Sequence, residues 1–136
     1  MKAMILGSHG YIGKNLIESI RNDKRFSEVV GINRKSGITA KPTLTNNSNY
    51  EEFYCRLDSE PDTAFLFKNY QPDIIFHLAG NSRTNAKSYL DDILITHNIV
   101  SSAPEGTRLI LASSVKAGGE YSLEGSEHVS GNPRSP

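Results

Sequence analysis

Gly7-Ser8-His9-Gly10-Tyr11-Ile12-Gly13 lies between an apolar run, Met1 to Leu6, and an amphipathic stretch that carries Ile12, Leu16, Ile17 and Ile20. If Met4 to Leu6 form a strand that turns into a helix near Tyr11, each glycine has a distinct task. Gly7 permits the tight turn, Gly10 lets a pyrophosphate approach bare backbone, and Gly13 lets the helix pack close to the sheet. The free N–H groups of the first helical turn then face the anion. Three glycines alone serve many turns that bind nothing. Here a strand precedes them, a helical pattern follows, and a second apolar run, Val29 to Ile32, comes at the distance a βαβ unit requires. The loop therefore reads as a dinucleotide site, with Gly7, His9, Gly10, Tyr11, Ile12 and Gly13 as candidate cofactor-binding residues.

Beyond this loop, apolar runs and helical patterns keep alternating, the signature of parallel α/β architecture. The patterns predict strands near 2–6, 28–33, 52–56, 73–78 and 108–113, and helices near 11–22, 62–69 and 85–103. Asp62, following Pro61, is placed to cap the second helix, and Ser101, Ser102 and Pro104 weaken the end of the third. Residues 35–49, rich in Thr, Asn, Ser and Gly, read as a surface loop, and the polar sequence from Ser114 onward reads as loop. Five strands in this order fit a doubly wound parallel sheet of spatial order 3-2-1-4-5, with ligand bound at the carboxyl ends where the order reverses. A six-stranded version needs more chain than is present. The expected division is a dinucleotide-binding domain over 1–113 and a polar loop over 114–136.

Bulk properties narrow the function classes. The 136 residues suffice for one core, and 15 basic side chains balance 15 acidic ones, so no nucleic-acid or membrane surface is expected. No apolar run approaches the ~20 residues of a membrane span, and an opening strand leaves no room for a leader, which points to the cytoplasm. Cys55, the single cysteine, reads as a small core or edge residue, and the four histidines share no metal-ligand spacing.

Cofactor choice turns on the end of the second strand. Asn33 stands twenty positions beyond Gly13, where an acid would bind an NAD ribose. That acid is missing, and Arg34-Lys35 follow directly. Their charge suits the 2′-phosphate of NADP, although such a pair is also common as a solvated loop start. NADP is favoured, with NAD as the alternative.

Together these residues resemble the extended short-chain dehydrogenase/reductases, which include NAD(P)-dependent nucleotide-sugar epimerases, dehydratases and reductases. The resemblance rests on the Gly7 to Gly13 motif, Arg56-Leu57-Asp58, Asp73-Ile74-Ile75-Phe76-His77-Leu78-Ala79-Gly80, Thr96-His97-Asn98 and Leu111-Ala112-Ser113-Ser114. It implies a Rossmann-type fold, a contact from Asp58 to the adenine amino group, and passage of Leu78, Ala79 and Gly80 along the cofactor. Asn33-Arg34-Lys35-Ser36 and Asn132-Pro133-Arg134-Ser135-Pro136 look most like dehydratases of the GDP-mannose type. The chemistry implied is hydride exchange at a sugar carbon, assisted by a tyrosine, a lysine and a serine or threonine. Ser114 matches the last of these and is the candidate catalytic hydroxyl.

Two departures from the family pattern stand out. Lys116 occupies the position where the dehydratases carry a glutamate, and protonated lysine is a poor base. The Tyr-x-x-x-Lys pair is absent from the 136 residues and is expected directly after Pro136. As supplied, the polypeptide is expected to bind cofactor without turning over; the alternative is a non-catalytic NADP-responsive module. A nucleotide sugar is the implied substrate, and an exposed fifth-strand edge is expected to promote self-association.

Overall fold

The computed structural model describes residues 1–34, 49–80 and 86–112. Within them, five parallel strands form one sheet in the order β3-β2-β1-β4-β5. The strands are β1 (Lys2–Leu6), β2 (Glu28–Asn33), β3 (Tyr50–Tyr54), β4 (Ile74–His77) and β5 (Arg108–Leu111). The helices are α1 (Tyr11–Ile20), α2 (Glu60–Asn69) and α3 (Ala86–Ser102). The doubly wound class and the strand order both agree with the sequence reading.

Central strand β1 shows why the sheet has two covered faces. Met4 and Leu6 pack with Leu66 and Phe67 of α2 and Ile95 and Ile99 of α3. Ala3 and Ile5 point the other way, against Ile17 and Ile20 of α1. Strands buried on both faces read as unbroken apolar runs, and residues 3–6 are all buried. β1 pairs with β2 from Lys2 opposite Glu28 to Leu6 opposite Ile32, and with β4 from Ala3 opposite Ile74 to Leu6 opposite His77. The order therefore reverses beside β1, and the carboxyl ends of β1, β2 and β4 converge on the glycine loop.

Three local expectations change. The third strand lies at Tyr50–Tyr54 and not at 52–56, because Tyr50 pairs with Val29 and the chain leaves the ladder after Tyr54. Glu52, inside the predicted strand, finds polar partners beneath the loop. Helix α2 is capped by Ser59, whose side chain accepts from the Asp62 N–H at 3.4 Å; Asp62 supplies acidic charge in the first turn and is not the cap. Ile12, counted on the apolar stripe of α1, is exposed, whereas Gly13, Ile17 and Ile20 form its buried face.

Candidate functional site

The glycine loop is held open by contacts that exclude a β-carbon. Gly7 has φ +88°, a left-handed conformation that glycine adopts without penalty. A β-carbon there would lie 2.9 Å from Ala79 N and 3.0 Å from Leu78 C, so β1 and the segment after β4 touch backbone to backbone. At Gly13 a β-carbon would collide with the Gly7 carbonyl oxygen and lie 2.9 Å from Ser8 Cα. Gly13 thus seats α1 on the loop itself; the sequence reading assigned it to helix–sheet packing. Gly10 is the N-cap, with no side chain to bond the first turn. The amides of Tyr11, Ile12 and Gly13 have no acceptor within the helix, while Lys14 N–H is already bonded to Gly10 O at 2.9 Å. This arrangement suits a bound anion.

In front of the loop lies a cleft of about 230 Å³. Its lining includes Gly7 and Gly10 of the loop, Leu78, Ala79 and Gly80 after β4, and Arg34 and Asp58. Asp58 is clamped by Arg56, whose Nη2 donates to Oδ2 at 3.1 Å and whose Nε donates to Oδ1 at 3.4 Å. That bond, aided by the charges of Arg56 and Arg34, holds the Asp58 carboxyl below its usual range. Arg34 is exposed. The turn carrying Asp58 is braced from α3, where the buried Asn98 donates its Nδ2–H to Leu57 O at 3.0 Å.

His77, at the end of β4, is buried, and burial lowers the pKa of its ring. The Thr96 hydroxyl donates to Asp92 O at 2.9 Å, so the His77 Nε2–H donates to Thr96 Oγ1 at 3.1 Å. The acceptor nitrogen Nδ1 then has no hydrogen-bond partner among the described residues. Thr96 and Asn98, noted in the sequence as parts of a family pattern, therefore brace β4 and the Asp58 turn.

A polar cluster beneath the loop was not anticipated from the sequence, apart from His9 and Asn33. Asn33 Oδ1 accepts the His9 N–H at 2.8 Å, and its Nδ2 donates to Ser8 Oγ and to Glu52 Oε1. The Asn33 side chain is thus spent under the loop. Glu52, with its side chain 2% exposed, also accepts from Ser8 Oγ at 3.3 Å and has His9 Nε2 2.5 Å away. Tyr50, hydrogen-bonded to Ser8 and pushed up to about 12 by burial, completes the group. The signal is Gly31 set among the branched, apolar Val29, Val30 and Ile32. A β-carbon at Gly31 would strike the Tyr50 hydroxyl and lie 2.7 Å from Ser8 Oγ.

A larger groove of about 430 Å³ lies between β3 and α2, lined by Phe53, Phe65, Leu66 and Tyr70 among others, and it shares Cys55 with the cleft. It lies away from the open amides of α1. Burial pushes the Cys55 thiol up to about 11, consistent with a packing role. Among the described residues, no group of three or more His, Cys, Asp or Glu side chains is placed to hold a metal ion. Nor is any described helix long and apolar enough to cross a membrane. Ser114 and Lys35 lie outside the described residues.

A loop of this form at the switch point of a doubly wound sheet defines a dinucleotide-binding domain. Residues 3–136 match the NAD dependent epimerase/dehydratase family, and the chain belongs to it. It is 28% identical over 119 residues to a dTDP-glucose 4,6-dehydratase from Escherichia coli, covering 85% of this chain and 31% of that protein. The fold resembles a UDP-N-acetylglucosamine 4-epimerase from Bacillus cereus, with TM-score 0.65, 23% identity, and coverage of 91% of this chain and 38% of the other. It also resembles a uronate dehydrogenase from Agrobacterium tumefaciens in complex with NAD, with TM-score 0.64, 20% identity, and coverage of 83% and 40%. The chain spans less than a third of the length of the curated relatives it matches.

Proposed function

We propose that this chain is the NADP-binding portion of a nucleotide-sugar epimerase, dehydratase or reductase. The observation that carries this reading is the cradle at Gly7, Gly10 and Gly13. A β-carbon at Gly7 or Gly13 would meet backbone, and three helix amides there lack intrahelical acceptors. The cradle fits a diphosphate, with the Tyr11, Ile12 and Gly13 amides as donors. Leu78, Ala79 and Gly80 line the path of the dinucleotide, and Asp58 stands at its adenine end. Arg34, exposed beside that end, takes the 2′-phosphate, which favours NADP over NAD.

A nicotinamide bound here supplies the hydride donor or acceptor for reaction at a sugar carbon. In this reading residues 1–113 form the cofactor domain, and Ser114, within a polar loop over 114–136, hydrogen-bonds the reacting oxygen. The 136 residues contain no Tyr-x-x-x-Lys pair to move the hydroxyl proton, so the polypeptide alone binds without turnover. That same feature favours a second reading, an NADP-responsive binding module. Self-association through β5 is also part of the proposal, because Ile110 and Leu111 are exposed on that strand; light scattering that shows only monomer at high concentration would count against it.

Calorimetric titration of the 136-residue protein tests the cofactor reading. Saturable binding of both cofactors, with NADPH tighter than NADH, is expected. Absence of binding by either at millimolar concentration would overturn it. Turnover of a nucleotide sugar by a longer polypeptide continuing into a Tyr-x-x-x-Lys pair separates the enzyme from the binding module.

A further inference from the structure

We infer that Glu52 is the positioning residue of the diphosphate loop, a buried carboxylate on β3 that fixes the loop from two strands away. The inference rests on the cofactor reading above and extends it to a residue outside the glycine motif. β3 is separated from β1 by β2. Glu52 stands opposite Gly31 on β2, and Gly31 stands opposite Ile5 on β1. A side chain at Gly31 would block the space between Glu52 and the loop; glycine leaves a hollow that Ser8 and the Tyr50 hydroxyl fill. Through it the carboxylate meets Ser8 Oγ, Asn33 Nδ2 and His9 Nε2. These partners occupy the two residues after Gly7 and the end of β2. Asn33 in turn holds the His9 backbone N–H at 2.8 Å.

Burying a carboxylate is costly unless every partner is in place. Here the partners are loop residues, so the carboxylate and the loop conformation stabilise each other. Removing the carboxylate leaves Asn33 Nδ2 and the buried Ser8 with fewer acceptors, and the loop loses the contact that ties it to β3. Because β3 leads directly into Cys55 and Asp58, the same strand links the diphosphate end of the cleft to its adenine end. The Glu52 side chain is 2% exposed, so it acts on the cofactor only through Ser8, His9 and Asn33.

Titrations of the 136-residue protein with ADP-ribose and with adenosine test this, comparing wild type, Glu52→Ala and Glu52→Gln. The Ala variant is expected to bind ADP-ribose roughly tenfold more weakly, the effect of leaving one buried polar group without its partner. Adenosine, which lacks the diphosphate, should bind within about twofold of wild type. Gln, which keeps an acceptor for Asn33 and Ser8, should recover most of the loss. A protein that is merely less stable would weaken both ligands together. If Glu52→Ala does not fold, by circular dichroism, the paired variants Ser8→Ala and His9→Ala remove the partners instead and should show the same selective loss. Wild-type ADP-ribose affinity in whichever of these variants folds would overturn the role of Glu52 and leave the cofactor reading intact. Failure of wild type to bind ADP-ribose or NADPH would overturn both.

Discussion

The two ends of the cleft are built on different principles. At the diphosphate end, shape is imposed by backbone contact: Gly7 against Ala79, Gly13 against Gly7 and Ser8, with a buried polar cluster underneath. At the end proposed to hold adenine, the side chains are solvent-facing charges: Arg34, and an Arg56–Asp58 pair whose side chains are 69% and 28% exposed. At Gly7 and Gly13 no side chain is tolerated, because a β-carbon there would meet backbone. The second end can be altered cheaply, since solvent screens an exposed ion pair. On the proposed cofactor reading, recognition of the common diphosphate and discrimination between cofactors are thereby separated in space.

The sharpest way to break this contrast is Gly7→Ala. It combines a left-handed backbone with a backbone collision, so a loss of roughly 2–4 kcal/mol in unfolding free energy is expected, with NADPH binding abolished. Denaturant unfolding and calorimetry measure both; wild-type stability would show that the loop can relax. Arg34→Ala addresses the other end. It should weaken NADPH by about tenfold, leave NADH nearly unchanged and leave the melting temperature unaltered. Equal losses for both cofactors would remove Arg34 from 2′-phosphate recognition.

A smaller effect is expected from pH. The His77 pKa is lowered in the folded protein, so below its usual value near 6.5 the unfolded chain takes up a proton that the folded chain does not. Stability should therefore fall as pH drops from that value toward the folded one, and His77→Gln should flatten this part of the profile. A slope unchanged in the variant would assign it to other groups. The least effect is expected from Arg56→Ala. Its removal should let the Asp58 carboxyl rise toward the usual range, visible by carbon-detected NMR titration, while the melting temperature stays unchanged, because solvent screens an exposed pair.

The same division marks what could be read along the chain. Glycine spacing and the alternation of apolar runs exposed the fold, the strand order and the cradle, because those signals are local or periodic. Asp62 was mistaken for the cap because Pro61 drew attention to it, while Ser59 two residues earlier had the right geometry. Ile12 fits the apolar spacing but is exposed, since Gly13 and not Ile12 turns toward the loop. Asn33 was expected to mark the ribose position, yet its amide is used beneath the loop. The role of Glu52 is not legible along the chain: it falls within a predicted strand, and nothing local marks which strand residues meet the loop.

By itself the sequence determined that a strand, a glycine turn and a helix would form here, and that the sheet would be parallel and doubly wound. Periodic burial and the conformational freedom of glycine act over a few residues and leave their mark in the order of residue types. Only the tertiary structure decided which strand supplies the loop's buried carboxylate and which glycine makes room for it. Ser8, Gly31 and the neighbouring Tyr50 and Glu52 come from three separate stretches of the chain and meet through the pairing of β2 with β3 beside β1. Their energetics depend on mutual burial, and burial is a property of the assembled sheet.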